Sequence, residues 1–316
     1  MARTRYAPDR GLTARMTATM FLLGLVFVAF VAAIIGIGAA YHASSAGIAL
    51  IAIVLAGGFA IGSFFYSDKI ALRTAGAVEV TREQAPRLHG IVDRVCALAD
   101  MPKPRVAIAR TDLPNAFATG RNADKAVLCV TTGLMNKLDD AELEGVIAHE
   151  MSHVAHKDVQ VMTIASFLAI VAALLIRIAF YGELFGGGRG RGNNNQNAAL
   201  VMLALMAVSI VVYAVSFLLI RMLSRYRELA ADRSGAFLTG QPSALKSALV
   251  KVTGDIGKIP SRDLRTAEPL NAFFFAPAMS LRGGGPSLSS VFSTHPSLQR
   301  RLDELDKVQR QLNQAG

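Results

Sequence analysis

His149-Glu150-Met151-Ser152-His153 is the stretch whose reading decides the fold, because it sets two imidazoles and one carboxylate at the spacing of a hydrolytic metal site on a helix. The surrounding residues predict that helix from Ala141 to Lys157. Asp139 is placed to cap it, Glu142 follows three residues later as in a capping box, and Leu143, Val146, Ile147 and Val154 recur at helical spacing. His149 and His153 then share one face a turn apart, so each can offer a ring nitrogen to a single zinc ion. Glu150, one residue round the helix, can reach a water beside the metal without coordinating. His156 lies on the same face two turns on, yet a third ligand at metzincin spacing would fall on Val159, which cannot bind zinc. His156 therefore reads as a surface residue or a neighbour of the ligands.

Outside this helix the chain is strongly apolar, with 52% hydrophobic residues among 316. No charged residue occurs between Arg15 and Asp68, which leaves room for two spans at about 17–40 and 46–65, broken by small polar residues near Tyr41 to Ser45. Two further spans are expected at about 159–181 and 198–220. A basic N-terminus before an apolar run also suits a secretory signal, but the run exceeds a signal h-region and a second span follows at once, so a retained anchor is expected. The net charge of +10 is distributed as a topology signal. Arg3, Arg5, Arg10 and Arg15 precede the first span, Lys69 and Arg73 follow the second, and Arg221, Arg225 and Arg227 follow the fourth; the short loops on the other side carry only Arg189 and Arg191. The positive-inside rule then puts both termini and residues 67–160 in the cytosol. With no interleaving of aromatic and basic residues, no nucleic-acid partner is expected. Arg177, near the outer end of the third span, reads as snorkelling to the interface rather than as part of a polar pathway. Cys96 and Cys129 fall in the predicted cytosolic part, match no zinc cluster and read as small core residues.

Topology selects the third metal ligand. A catalytic zinc takes three protein ligands and keeps one position open, and Glu is a common third. Glu183 is nearer in sequence, but the third span carries it to the opposite side, whereas Glu228 returns to the cytosolic side after the fourth. Glu228 opens Glu228-Leu229-Ala230-Ala231-Asp232, in which Asp232 lies one helical turn on and can accept a hydrogen bond from a ligand imidazole.

His149-Glu150-Met151-Ser152-His153, the Glu228-to-Asp232 pattern, Pro114-Asn115-Ala116-Phe117-Ala118-Thr119-Gly120 and Ser293-Thr294-His295-Pro296 with Arg301 five residues later together resemble the HtpX-type heat-shock membrane metalloproteases, relatives of the CAAX prenyl endoproteases. The resemblance runs from end to end. It implies a mainly α membrane protein with four transmembrane helices and a cytosolic α+β gluzincin-type zinc metalloprotease domain carrying a small β-sheet. It implies one Zn2+ per chain, membrane-protein substrates, a role in quality control and stress response, and a place in the bacterial cytoplasmic (inner) membrane with both termini and the active site cytosolic. By the same resemblance His149, His153 and Glu228 match the ligands and Glu150 the general base. Asn115 and His295 match positions that bind or polarise substrate, and Arg301 a buried partner of the site.

The residues themselves support these assignments to different degrees. Arg105 to Arg110 and Ala126 to Thr131 read as strands, with a polar turn at Arg121 to Lys125, and Asn115-Ala116-Phe117-Ala118 as an edge strand able to pair with an extended substrate through its main chain. Asn115 after a proline also suits a plain turn, and His295 before Pro296 a helix start without chemistry. Beyond Pro296, Leu298, Leu302, Leu305, Val308 and Leu312 form the stripe of a helix that also bears Arg301 and packs on the core. Phe185 to Asn197 reads as a flexible outer loop; Leu270 to Ser290, with Phe273, Phe274 and Phe275, reads either as a mobile flap or as buried core. The expected organisation is a membrane hairpin in 1–66, protease segments 67–158 and 221–316 folding together, and a second hairpin in 159–220. By rise per residue, His153 and Glu228 each fall roughly 10 Å from a span end, which suits juxtamembrane and loop segments as substrates. A non-proteolytic carrier or signalling protein with structural zinc is the alternative, but it would need a fourth ligand; a zinc transporter would need His or acidic residues within the spans, which carry none.

Overall fold

The computed structural model describes residues 10–40, 45–186, 193–256 and 295–315. Runs of Val, Ile, Ala and Thr form a four-stranded sheet in the order β1-β2-β4-β3, from β1 (Ala77–Glu79), β2 (Arg105–Ala109), β3 (Ala116–Thr119) and β4 (Val127–Thr131). β2 and β4 run parallel; the outer pairs are antiparallel, with Ala116 opposite Val130 and Thr119 opposite Val127. Every residue of β4 is buried, as in a strand covered on both faces. β3 is an edge strand, as its sequence suggests, and the expected turn contains a short 3-10 helix, Ala123–Lys125, capped by Asn122. β1 was not foreseen, because three residues are too few to show a period of two.

The helices are α1 (Arg10–Ala40), α2 (Ser45–Thr74), α3 (Pro86–Ala99), α4 (Thr132–Lys137), α5 (Asp140–Ala155), α6 (Asp158–Gly186), α7 (Asn193–Thr239), α8 (Pro242–Ile256) and α9 (Leu298–Ala315). α5 is the helix read from the sequence. Asp139 accepts from Glu142 N–H at 2.9 Å and Glu142 accepts from Asp139 N–H at 3.1 Å, a full capping box worth about 1 kcal/mol. Glu142 also accepts from Ser247 at 2.6 Å and meets Lys251 at 2.5 Å, pinning the start of α5 to α8. At the other end exposed His156 is the C-cap, and Lys157, at φ 57°, turns the chain in the left-handed region into α6.

Two compact units emerge. The first comprises the described residues of Met1–Arg15, Phe64–Gln160 and Ser224–Gly316. Its core joins α3, α5, α8 and α9 to one sheet face through Leu88, Leu128, Leu143, Ile147, Leu249 and Leu305; Cys96 is buried there, and Cys129 against the opposite face with Ala71 and Phe117. The stripe of α9 packs on this core as expected. The second unit, Met16–Ser63 and Val161–Leu223, buries Phe30, Leu168, Val171, Leu175 and Leu205. Gly11–Ile37, Asp158–Tyr181 and Ala199–Thr239 are long and apolar enough to cross a membrane, and α2 makes a fourth candidate if Ile53–Gly62 and Phe64–Thr74 are taken as one bent span. Gly62 and Ser63 stand at that break, a pair of small residues that commonly kinks a helix. The expected polar break at 41–44, residues 187–192 of the expected outer loop, and the aromatic segment at 270–290 lie outside the described residues, as do Ser293 and Thr294. The rest of the stretch read as a loop is helical, Phe185 and Gly186 ending α6 and Asn193 to Asn197 opening α7, because backbone hydrogen bonding carries both helices past their apolar runs.

Candidate metal centre

α5 presents His149 and His153 on one face because they are four residues apart, and α7 brings Glu228 opposite them. One ligand atom from each of the three lies within 4.8 Å of the other two. His149 Nε2 is 3.7 Å from Glu228 Oε2, and His153 Nε2 is 3.5 Å from Glu228 Oε1. These separations are too long for good hydrogen bonds, so three electron-pair donors face a common point. Two imidazoles and a carboxylate so arranged fit a divalent metal, and zinc in particular by donor type. The local field agrees. Burial works against charge on His153, yet Asp158, Glu228 and Glu150 overcome it and hold its imidazole up at about 9, so the site draws positive charge. Burial pushes the His149 imidazole below its ordinary value, an effect that Asp232 offsets only in part.

Glu150 is not among the three converging donors and accepts from Ala118 N–H of β3 at 3.2 Å. Burial pushes its carboxyl up to about 8 against the opposing pull of His153, a value suited to taking and returning a proton near neutrality. β3 reaches this carboxylate because of the two-residue alternation of an antiparallel ladder. Thr131 N–H donates to Asn115 O at 2.9 Å and Asn115 N–H to Thr131 Oγ1 at 2.9 Å, so odd-numbered residues turn to β4 and Ala116 and Ala118 turn their main-chain groups outward.

Behind the donors sits a second tier. His149 Nδ1 lies 2.9 Å from Asp232 Oδ1, and Arg301, 1% exposed, donates to Asp232 through Nε at 2.7 Å and Nη2 at 2.6 Å. Arg301 Nη1 is also 3.9 Å from Glu228 Oε2, and His295 Nδ1 is 3.0 Å from the same oxygen. The structure therefore gathers His149, Glu150, His153, Glu228, Asp232, His295 and Arg301 in one buried cluster. Asn115 directly precedes the adjoining strand and Ala116 opens it, while the Phe117 side chain goes to the sheet's other face against Ala71 and Val127. Two members were missed from sequence. Asp158 lies 2.5 Å from His153 Nδ1, and Arg227 Nη2 2.7 Å from Asp158. The available signal was a lone acid at the head of an apolar helix, five residues after His153, with Arg227 directly before Glu228.

Comparison with known proteins agrees with this geometry. Residues 82–309 match Peptidase family M48. Protease HtpX homolog 1 of Streptomyces coelicolor is 54% identical over 313 residues, covering 99% of this chain and 98% of that protein. Protease HtpX homolog 2 of Methanosarcina mazei is 49% identical, covering 98% and 100%, and Protease HtpX homolog of Moorella thermoacetica 49%, covering 99% of each. The crystal structure of Ste24p from S. mikatae shares the fold, with a TM-score of 0.51 at 17% identity over 94% of this chain and 67% of that one. The chain belongs to peptidase family M48 and is a membrane metalloprotease of the HtpX type.

Proposed function

We propose that the protein is a zinc-dependent endopeptidase of gluzincin type that cleaves cytosolic or juxtamembrane segments of other membrane proteins, in quality control and stress response. The observation that carries this reading is the convergence of His149, His153 and Glu228 on one point with Glu150 beside it, raised in pKa and not among the converging donors. His149, His153 and Glu228 would hold the zinc, which would supply Lewis acidity to the scissile carbonyl and to a water. Glu150 takes the water's proton as the oxygen attacks the carbonyl carbon and gives it to the leaving amine nitrogen, while Ala118 N–H fixes the carboxylate. The outward main-chain groups of Ala116 and the carbonyl of Ala118, whose N–H is given to Glu150, align an extended substrate as an added strand, which makes recognition tolerant of sequence. Asn115 at the head of that strand and His295 beside Glu228 are the candidate contacts to the substrate carbonyl. Asp232, held by Arg301, fixes the His149 ring.

The distribution of Arg and Lys supports an orientation with both termini and the site in the cytosol, and the family resemblance a place in the bacterial inner membrane, with 67–158 and 221–316 forming the protease domain and the hairpins of 1–66 and 159–220 anchoring it. The test is cleavage of a purified membrane-protein substrate by the full-length protein in detergent, with and without zinc, beside Glu150→Gln. Zinc-dependent cleavage that disappears in the variant is expected; zinc-independent cleavage overturns the proposal.

A further inference from the structure

Each imidazole of the proposed ligand pair is backed by a carboxylate held by an arginine, but the two supports come from different parts of the chain. Behind His149 both supporting residues follow from the Glu228-to-Asp232 pattern and Arg301. Behind His153 one oxygen does the work: Asp158 Oδ2 is 2.5 Å from His153 Nδ1 and 2.7 Å from Arg227 Nη2. Asp158 is 3% exposed and the Arg227 side chain 12%, so neither is a solvated surface charge. Asp158 is the first residue of α6 and Arg227 directly precedes Glu228 on α7, so this chain of contacts joins the end of α5 to the turn of α7 that carries the third donor.

We propose that Asp158, oriented by Arg227, is a positioning residue that holds the His153 ring with Nδ1–H bound to its carboxylate and Nε2 turned to the metal. The inference rests on the reading of His153 as a ligand. The physical reason is that the two ring nitrogens have opposite roles: a carboxylate that accepts from Nδ1 leaves the lone pair on Nε2, raises its basicity and stops the ring from rotating. Nε2 does face Glu228, with Oε1 at 3.5 Å. The competing account treats Asp158 as a first-turn acid that favours the α6 dipole, which affects stability but has no bearing on metal affinity.

The experiment uses full-length protein in detergent, well below its melting temperature, with Asp158→Asn, Asp158→Ala and His153→Ala. Zn2+ affinity is read by competition with a chromophoric chelator, and ligand geometry by the visible spectrum of the Co2+-loaded protein. Asp158→Ala is expected to weaken zinc binding by about 10- to 100-fold and to shift the cobalt bands. Asp158→Asn, whose amide oxygen can still accept from Nδ1, should fall between it and the parent. If both Asp158 variants keep the parent's zinc affinity and cobalt spectrum, even with a lowered Tm, the positioning role is wrong and the helix-dipole account stands. Should Asp158→Ala fail to fold, the isosteric Asp158→Asn decides by the same two readouts. His153→Ala separates the levels. If it loses zinc while the Asp158 variants do not, only the positioning role falls; if it binds zinc like the parent, the metal-centre reading falls and takes this inference with it.

Discussion

Gly235 of α7 lies against the backbone of α5 at His149, one of the proposed ligands, and replacing it with alanine should disable the site more than the fold. A Cβ there would lie 2.8 Å from His149 N and 3.1 Å from both Ala148 C and His149 Cα. These are backbone atoms inside a helix and have no rotamer by which to retreat. Since non-bonded carbon contacts settle at about 3.5–4.0 Å, α5 and α7 must separate by roughly 0.7 Å. Overpacking of this kind costs about 1–3 kcal/mol. The higher helix propensity of alanine returns about 1 kcal/mol, leaving a net loss of roughly 0–2 kcal/mol that a folded protein can absorb. The donor set cannot, because α5 carries His149 and His153 while α7 carries Glu228, and metal–ligand distances tolerate only about 0.2 Å. Zinc affinity in Gly235→Ala should fall by at least about tenfold, with cleavage falling alongside. Gly145→Ala is the matched control: its Cβ would meet Leu245 at 3.3 Å, on α8, which bears none of the proposed ligands, so a shift of a few tenths of an ångström is relieved without moving the site. The assay is chelator competition for zinc beside thermal unfolding of both full-length variants. Parent-like zinc affinity in Gly235→Ala, or an equal loss in Gly145→Ala, would refute the reasoning.

Five other substitutions have defined outcomes. Glu150→Gln should keep close to one zinc per chain by metal analysis yet lose cleavage by on the order of 10²–10⁴, and loss of both would recast Glu150 as a ligand. Glu228→Ala should lose zinc and cleavage, whereas Glu183→Ala, near the far end of α6, should change neither; the reverse pattern in the same two assays would overturn the ligand assignment. Lys157→Gly should raise stability in denaturant unfolding by about 1 kcal/mol, because it removes a side chain from a left-handed backbone position at φ 57°; a loss of stability would show that the Lys157 side chain contributes more than its strain costs. Burial pushes the Glu142 carboxyl up, but Lys251, Ser247 and the Asp139 amide outweigh it and hold it below its ordinary 4.5. Its contribution is therefore present above about 4.5 and lost as pH falls below that value, so Glu142→Gln should be less stable than the parent at neutral pH and converge with it in acid, as read by Tm against pH.

Much of the candidate metal centre was legible because its signals are local. Residues 149 and 153 share a face whatever surrounds the helix, and the capping box at Asp139 and Glu142 is complete within four residues. Glu228, which the structure brings to His149 and His153, needed one further step, counting charge-free spans to pick the acid expected on their side. Arg227 resisted that logic: counted with Arg221 and Arg225 as a flanking charge, it proves to be a largely covered partner of buried Asp158. Charge alone does not distinguish a cation facing solvent from one facing a carboxylate.

The sequence by itself thus determined what depends on spacing along the chain: the two-histidine helix, apolar stretches suited to spans, the β2 and β4 strands and the stripe of α9. Only the tertiary structure decided which distant groups meet. Asp232 finds Arg301 across 69 residues, Ala118 N–H finds Glu150 across 32, and Gly235 lets two backbones approach where any side chain would hold them apart. Such contacts depend on how whole elements pack, and packing is set by the summed burial of many side chains rather than by a pattern in any one segment.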